Sequence, residues 1–201
     1  MAKKHLEDEC ELSIAVPFYN EEGNVAEVAE GLARELEKNK IDYEIVLINN
    51  GSTDSTPKII NKLRGKNPKL KQLDIIKNIG YGNGIVNGLN AAKGKYIGFL
   101  DGDNQVHPKF VVEAYNKLKN SNAALCMTKR SIRNDGLMRK IASLGYNSIL
   151  NILFLTNVRD VNSKPKILNN KFYKELNLYS KDWFIDTEIV LKSKSGKIQD
   201  C

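Results

Sequence analysis

The sequence has little of what would build a covalent or membrane-spanning framework. It holds three cysteines in 201 residues, Cys10, Cys126 and Cys201. Their odd number and wide spacing match neither a disulfide framework nor a metal-ligand pattern, so a reducing, cytoplasmic setting is expected. Its two histidines, His5 and His107, show no partner pattern. No run of about 18 uninterrupted apolar residues occurs, so no membrane-spanning helix is expected. The most apolar stretch, Ile141 to Val158, is broken by Ser143, Asn147, Ser148, Asn151 and Asn157. Met1 to Cys10 is charged and lacks the apolar centre of an export signal. No internal repeat, low-complexity tract or linker is visible before Thr128.

What is present is an ordinary globular composition, 41% hydrophobic and 27% charged. A chain of this length can bury the core of one domain, taken as 1–201. The formal net charge of +7 fits an anionic partner such as a nucleotide or a phospholipid surface, and equally a solvated lysine-rich surface. The basic residues lack the interleaved aromatics of nucleic-acid binders, so no nucleic acid is expected.

Glu11 to Pro17, Tyr43 to Ile48, Leu73 to Ile76, Tyr96 to Leu100 and Ala123 to Met127 read as short apolar strands. Between them, Glu21 to Lys40, a segment opening at Ser52 to Pro57, Ile85 to Ala92 and Pro108 to Lys119 read as helices. This alternation predicts an α/β fold with a mostly parallel sheet sandwiched by helices. In such sheets ligands sit beyond the carboxyl ends of the strands, which directs attention to the loops after Pro17, Ile48, Ile76 and Leu100. After Thr128 the pattern changes. A basic stretch, Lys129 to Arg139, precedes an amphipathic helix over Leu137 to Leu155, and Asp160 to Lys194 mixes extended pieces with a helix from near Asp186.

The fourth loop carries Asp101-Gly102-Asp103-Asn104-Gln105. Two carboxylates one residue apart at a strand end can converge on a hard cation such as Mg²⁺ or Mn²⁺, which bridges to a diphosphate. Alone, the same residues make a solvated turn. In the first loop Tyr19 can stack on a base and Glu21 can reach a ribose, or Asn20 simply opens a helix. Asn49 and Asn50 in the second loop offer hydrogen bonds to a nucleoside, or form a turn. Glycines after Lys77 and Asn78 allow an anion close to a helix start, but the spacing is neither G-x-G-x-x-G nor a P-loop. Each loop is ambiguous; four of them at one sheet edge, ending in paired carboxylates, are not.

With VPFYNEEGNV, INNGSTDST, KNIGYGNGIVNGLNAAKGKYIGFLDGDNQVHP, DVNSKPKILNNKFYKEL and DWFIDTEIVLKSK in hand, the chain resembles the family 2 glycosyltransferases of GT-A (Rossmann-like) fold. The likeness runs from about Glu11 to Lys197 and is greatest to the dolichyl- or polyprenyl-phosphate sugar synthases. It implies a nucleotide-sugar-binding half, 11–128, and an acceptor-side helical half, 129–201. The donor pocket would comprise Pro17, Tyr19, Glu21, Ile48, Asn49, Asn50, Lys77, Gly80, Asp101 and Gly102. Asp101, Asp103 and Gln105 would hold the metal and the diphosphate. Asp103, Arg130 and Asp186 would be catalytic, Asp186 as general base for a hydroxyl acceptor. Arg133, Arg139, Asp160 and Ser163 would bind the acceptor.

Two departures stand out. Asn49-Asn50-Gly51-Ser52 replaces the family's Asp-Asp-Gly-Ser, exchanging a nucleoside-contacting acid for an amide. A basic phosphate-contacting segment that many relatives carry is not present by Cys201, so the acceptor-side half is expected to be truncated. The reaction implied is metal-dependent, inverting transfer from a GDP- or UDP-sugar to a polyprenyl or dolichyl phosphate, peripheral on the cytoplasmic face of a membrane. The cations Arg130, Arg133, Arg139 and Lys140 and the helix after them suit an anionic lipid; core packing of that helix is the alternative. A transferase acting on a saccharide hydroxyl and a non-catalytic nucleotide-binding subunit are the competing readings.

Overall fold

The computed structural model describes residues 10–128, 160–193 and 198–200. The chain runs β1 (Cys10–Phe18), α1 (Val25–Lys38), β2 (Tyr43–Asn50), α2 (Thr56–Lys66), β3 (Leu70–Ile75), α3 (Tyr81–Ala91), β4 (Gly94–Phe99), α4 (Lys109–Lys119) and β5 (Leu125–Met127). Beyond the undescribed stretch come β6 (Lys166–Asn169), α5 (Asn170–Leu176), α6 (Ile185–Lys192) and β7 (Ile198–Asp200). The strands form one sheet in the order β3-β2-β1-β4-β6-β5-β7. Pairings are parallel except those of β6 with β4 and β5. The expected mostly parallel sheet between helices is therefore what forms.

Buried strands need apolar residues on both faces, and β1 and β2 have them. Leu12, Ile14, Val16 and Phe18 face one core with α1, α2 and α4. Ala15 faces the other, with Ile97 and Phe99 of β4 and with α3, α5 and α6. The alternation is the period-two geometry of a strand. Helix α1 buries Val25, Val28, Ala29, Leu32, Ala33 and Leu36, a stripe at helical spacing.

Helix α3 begins four residues before the Ile85 expected from the sequence. Gly82 and Gly84 concealed its first turn. Gly88 lies so close to the sheet that a Cβ there would come within 2.3 Å of Ile48 Cδ1 and 2.8 Å of Ala15 Cβ. Glycine weakens a free helix, but here it permits helix-to-strand contact. At the start of α2, Pro57 occupies the first turn and Asp54 Oδ1 accepts from the Thr56 amide at 3.0 Å.

The chain winds outward from β1 through β2 to β3, then returns to the other side of β1 as β4. This reversal opens a crevice beyond the carboxyl ends of β1 and β4. Among the described residues no helix is long and apolar enough to cross a membrane. The cysteine spacing predicted no bridge; Cys10 is a free thiol, whereas Cys126 is disulfide-bonded. Sequence separation carries no information about which sulfurs meet in space. The expected helix over Leu137 to Leu155 lies outside the described residues.

Candidate functional site

The crevice is an open cleft of about 500 Å³. Pro17, Phe18, Tyr19 and Glu21 form one wall, and Asp101, Gly102 and Asp103 face the same space. The first loop is bolted to the second. The Asn20 amide donates to Ser52 Oγ at 3.1 Å, Asn20 Oδ1 accepts from the Thr53 amide at 2.8 Å, and the Glu21 amide donates to Thr56 Oγ1 at 3.0 Å. Glu21 Oε2 accepts from Asn24 Nδ2 at 2.6 Å. Tyr19 is left half exposed at the rim.

The second loop divides the residues expected there. Ile48 is fully buried, packed against α3, so its side chain belongs to the core and not to the cleft. Asn49 turns away, donating to Asp74 Oδ1 at 3.0 Å and accepting from the Ser52 amide at 2.9 Å. Asn50 does line the cleft. Its Nδ2 donates to the Gly80 carbonyl at 3.3 Å, while its buried Oδ1 has no hydrogen-bond partner among the described residues. A buried acceptor without a donor is costly, and a ligand N–H would satisfy it.

In the third loop Asn78 and Gly80 line the cleft; Lys77 does not. Gly80 has φ +131, where a side chain is strained, and a Cβ would fall 2.2 Å from the Lys181 carbonyl oxygen.

Among the described residues, each carboxylate of the fourth loop accepts from one donor. Tyr81 Oη donates a short hydrogen bond to Asp101 Oδ1. The Gln105 amide donates to Asp103 Oδ1 at 3.0 Å. Gln105 itself is exposed and does not line the cleft, so it acts here through its backbone. Gly102 is buried, and a Cβ there would lie 2.5 Å from Phe18 Cδ1 and 2.6 Å from the Pro17 carbonyl oxygen. Only glycine lets this turn close onto β1. Among the described residues no three His, Cys, Asp or Glu side chains cluster as a metal site. Two carboxylates at the mouth of a cleft nevertheless fit a hard cation that takes its remaining ligands from diphosphate oxygens and water.

Asp186 occupies a different place from the one expected of a general base. It is 1% exposed. Lys164 Nζ donates to its Oδ2 at 2.7 Å and Lys166 Nζ to its Oδ1 at 2.6 Å. Burial alone would raise the carboxyl pKa, but Lys166 and Lys164 outweigh it and hold it below its usual value. Burial pushes the Lys166 ammonium down to about 8, against the pull of Asp186. A base must reach solvent or substrate and have a lone pair to offer. Asp186 has both oxygens engaged and does not line the cleft. Ser163 is fully buried, its carbonyl accepting from Lys166 Nζ at 2.8 Å, and does not reach the cleft either. Asp160 is half-buried and also outside the lining. Arg130, Arg133, Arg139 and Lys140 lie outside the described residues.

Sequence reasoning assigned no role to Tyr81, Lys164 and Lys166. The Tyr81 and Trp183 rings stack, centroids 4.4 Å apart and 12° from parallel, and both line the cleft. Trp183 is 72% exposed, far from a core residue. Desolvation and then the Asp101 charge push the Tyr81 phenol well above its ordinary pKa, so it stays a donor. An aromatic between two glycines at a helix start was the available signal for Tyr81.

This is the fold of the GT-A glycosyltransferases. The Glycosyl transferase family 2 profile matches residues 13–182, so the chain belongs to that family. The dodecaprenyl-phosphate galacturonate synthase of Rhizobium johnstonii is 29% identical over 170 residues, 84% of this chain and 50% of that protein. S. aureus TarS 1–349 with UDP-GlcNAc superposes with a TM-score of 0.68 at 22% identity, covering 95% of this chain and 56% of that one. Glucosyl-3-phosphoglycerate synthase of Mycobacterium tuberculosis, with Mn²⁺, UDP and glucosyl-3-phosphoglycerate, gives 0.71 at 19%, covering 97% and 70%. The chain spans half the length or less of the curated relatives it matches.

Proposed function

We propose that this chain transfers a sugar from a GDP- or UDP-sugar to a polyprenyl or dolichyl phosphate, with inversion, at the cytoplasmic surface of a membrane. The observation that carries the donor half is the cleft itself: Asp101, Asp103, Tyr19, Glu21 and Asn50 line one space, and the Asn50 oxygen has no partner among the described residues. Tyr19 and Glu21 would take the nucleoside, and Asn50 Oδ1 would accept an N–H from the base edge. Asp101 and Asp103 would hold Mg²⁺ or Mn²⁺, which offsets charge on the departing diphosphate.

The acceptor half rests on the state of Asp186. In the transfer, the bond from the anomeric carbon to the donor phosphate breaks and one to the acceptor oxygen forms on the opposite face. A sugar hydroxyl must lose a proton to do this and needs a base. A phosphate acceptor is already anionic at pH 7 and needs none. Asp186 is engaged by two ammonium groups, and Glu21 accepts from Asn24. With Asp186, the expected base, taken up by two lysines, the phosphate acceptor, which needs no base, is the better-supported reading. The name of the Rhizobium relative points the same way. Arg130, Arg133 and Arg139 are the cations proposed to receive that phosphate. The saccharide-hydroxyl reading keeps one observation in its favour, the exposed Trp183 face at the cleft, on which a sugar can stack.

The test is transfer of radiolabel from UDP- and GDP-sugars, with Mn²⁺, Mg²⁺ or EDTA, to polyprenyl phosphate in detergent and to free saccharides. Label should move to the organic phase only with a divalent ion. Label that enters a water-soluble saccharide instead would end the lipid-phosphate reading.

A further inference from the structure

We infer that Tyr81 is a positioning residue for Asp101, and that it takes its own position from the 178–184 segment beyond β6. The inference rests on the donor-site reading above. Asp101 Oδ1 accepts from the Tyr81 hydroxyl, a bond that links the first residue of α3 to the loop after β4. One ring contact of Tyr81 is the Trp183 indole. A second is Lys164 Nζ, 5.5 Å from the ring centroid and itself anchored on Asp186.

The backbone under this stack has no slack. The Asn83 amide donates to the Lys181 carbonyl at 3.0 Å. A Cβ on Gly82 would lie 2.6 Å from the Asp182 carbonyl oxygen and 2.8 Å from that of Ser180. The segment is also fixed from behind: Glu188 accepts from the Tyr179 amide at 3.0 Å and the Ser180 amide at 2.8 Å. A hydrogen bond that reaches a carboxylate through so constrained a ring selects one carboxylate orientation. Groups that orient a ligating carboxylate typically change metal affinity by about 10–100-fold when removed. The segment that carries Trp183 thereby reaches Asp101 without touching it.

The experiment compares wild type with Tyr81→Phe, which keeps the ring and the stack but removes the donor. Mn²⁺ affinity is read by paramagnetic resonance of the unbound ion, and UDP and GDP affinity by calorimetry with and without Mn²⁺. Trp183 is the only tryptophan in the chain, so emission of the metal-free variant reports whether the stack persists. The expected result is Mn²⁺ binding weakened about tenfold or more, with metal-free nucleotide affinity and Trp183 emission as in wild type. Mn²⁺ affinity equal to wild type overturns the inference alone. So does an equal loss of metal-free and metal-dependent nucleotide binding with altered emission, which marks a merely structural role. If wild type itself shows no Mn²⁺-dependent nucleotide binding, the donor-site reading falls and the inference with it.

Discussion

Replacing Asp186 by asparagine separates two roles that a carboxylate at this position can have. The side chain is 1% exposed and its oxygens lie 2.7 and 2.6 Å from Lys164 and Lys166 Nζ. Those lysines are themselves 5% and 0% exposed. Asp186→Asn leaves two buried ammonium groups without an anion. Removing one partner from a buried ion pair costs about 3–5 kcal/mol. For a chain of this size each kcal/mol moves the melting temperature by about 2–4 °C, so a fall of roughly 6–20 °C is expected. The deficit should shrink as pH rises. Burial already holds folded Lys166 at about 8, below the ~10.4 of an unfolded chain. The folded state therefore binds fewer protons than the unfolded state between those values, and stability climbs with pH across that window. Without Asp186 the folded pKa drops further and the window opens at lower pH. Thermal melts by circular dichroism from pH 6 to 10 read both effects, and adding Lys166→Met to the asparagine variant should recover part of the loss. If Asp186→Asn melts within about 2 °C of wild type but has lost turnover, Asp186 is the base and the structural reading is wrong.

Gly82→Ala should lower stability by about 1–3 kcal/mol, as overpacking does, because its Cβ would meet two backbone carbonyl oxygens at 2.6 and 2.8 Å. Lost Tyr81–Trp183 stacking should appear as shifted tryptophan emission at temperatures where the variant is still folded. At Glu188, burial would raise the pKa, but the Lys192 ammonium and the Ser180 and Tyr179 amides bring it down to about 2. Its contribution, at most about 3 kcal/mol against an unfolded value near 4.3, is complete above that value and lost as pH falls through about 2. Urea unfolding at pH 7 and pH 3 should show this loss, and Glu188→Gln should make the difference smaller.

The cleft walls built from the first half of the chain were legible because their signals are local. Strand β2 is buried along its whole length and reads as apolar from Tyr43 to Ile48. Asp101 follows β4 with only Leu100 between, and strand order alone then places it beside Pro17 and Tyr19. The start of helix α3 was misplaced for a local reason too: Gly82 and Gly84 are helix-poor residues that look like a loop until the 180–182 backbone and Asn50 packed against them are known. The segment after residue 160 fails differently. Nothing within a few residues of Asp186 shows that Lys164 and Lys166, more than a helix away in sequence, take up its charge.

The decisive feature is the direction of β6. It pairs antiparallel with β4, with Lys166 opposite Phe99 and Asn169 opposite Tyr96. A parallel strand in that slot would begin at the far edge of the sheet. An antiparallel one begins at the crevice end, so the first residues of this returning segment arrive beside the loop that carries Asp101. Two lysines must then be buried there, and a buried pair of cations requires an anion. Asp186, at the start of α6, supplies it. The same docking brings 178–184 onto the first turn of α3 and sets Trp183 against Tyr81. A reversal that composition cannot announce thus gives Asp186 two buried lysines as partners and sets Tyr81, which reads as loop, against Asp101.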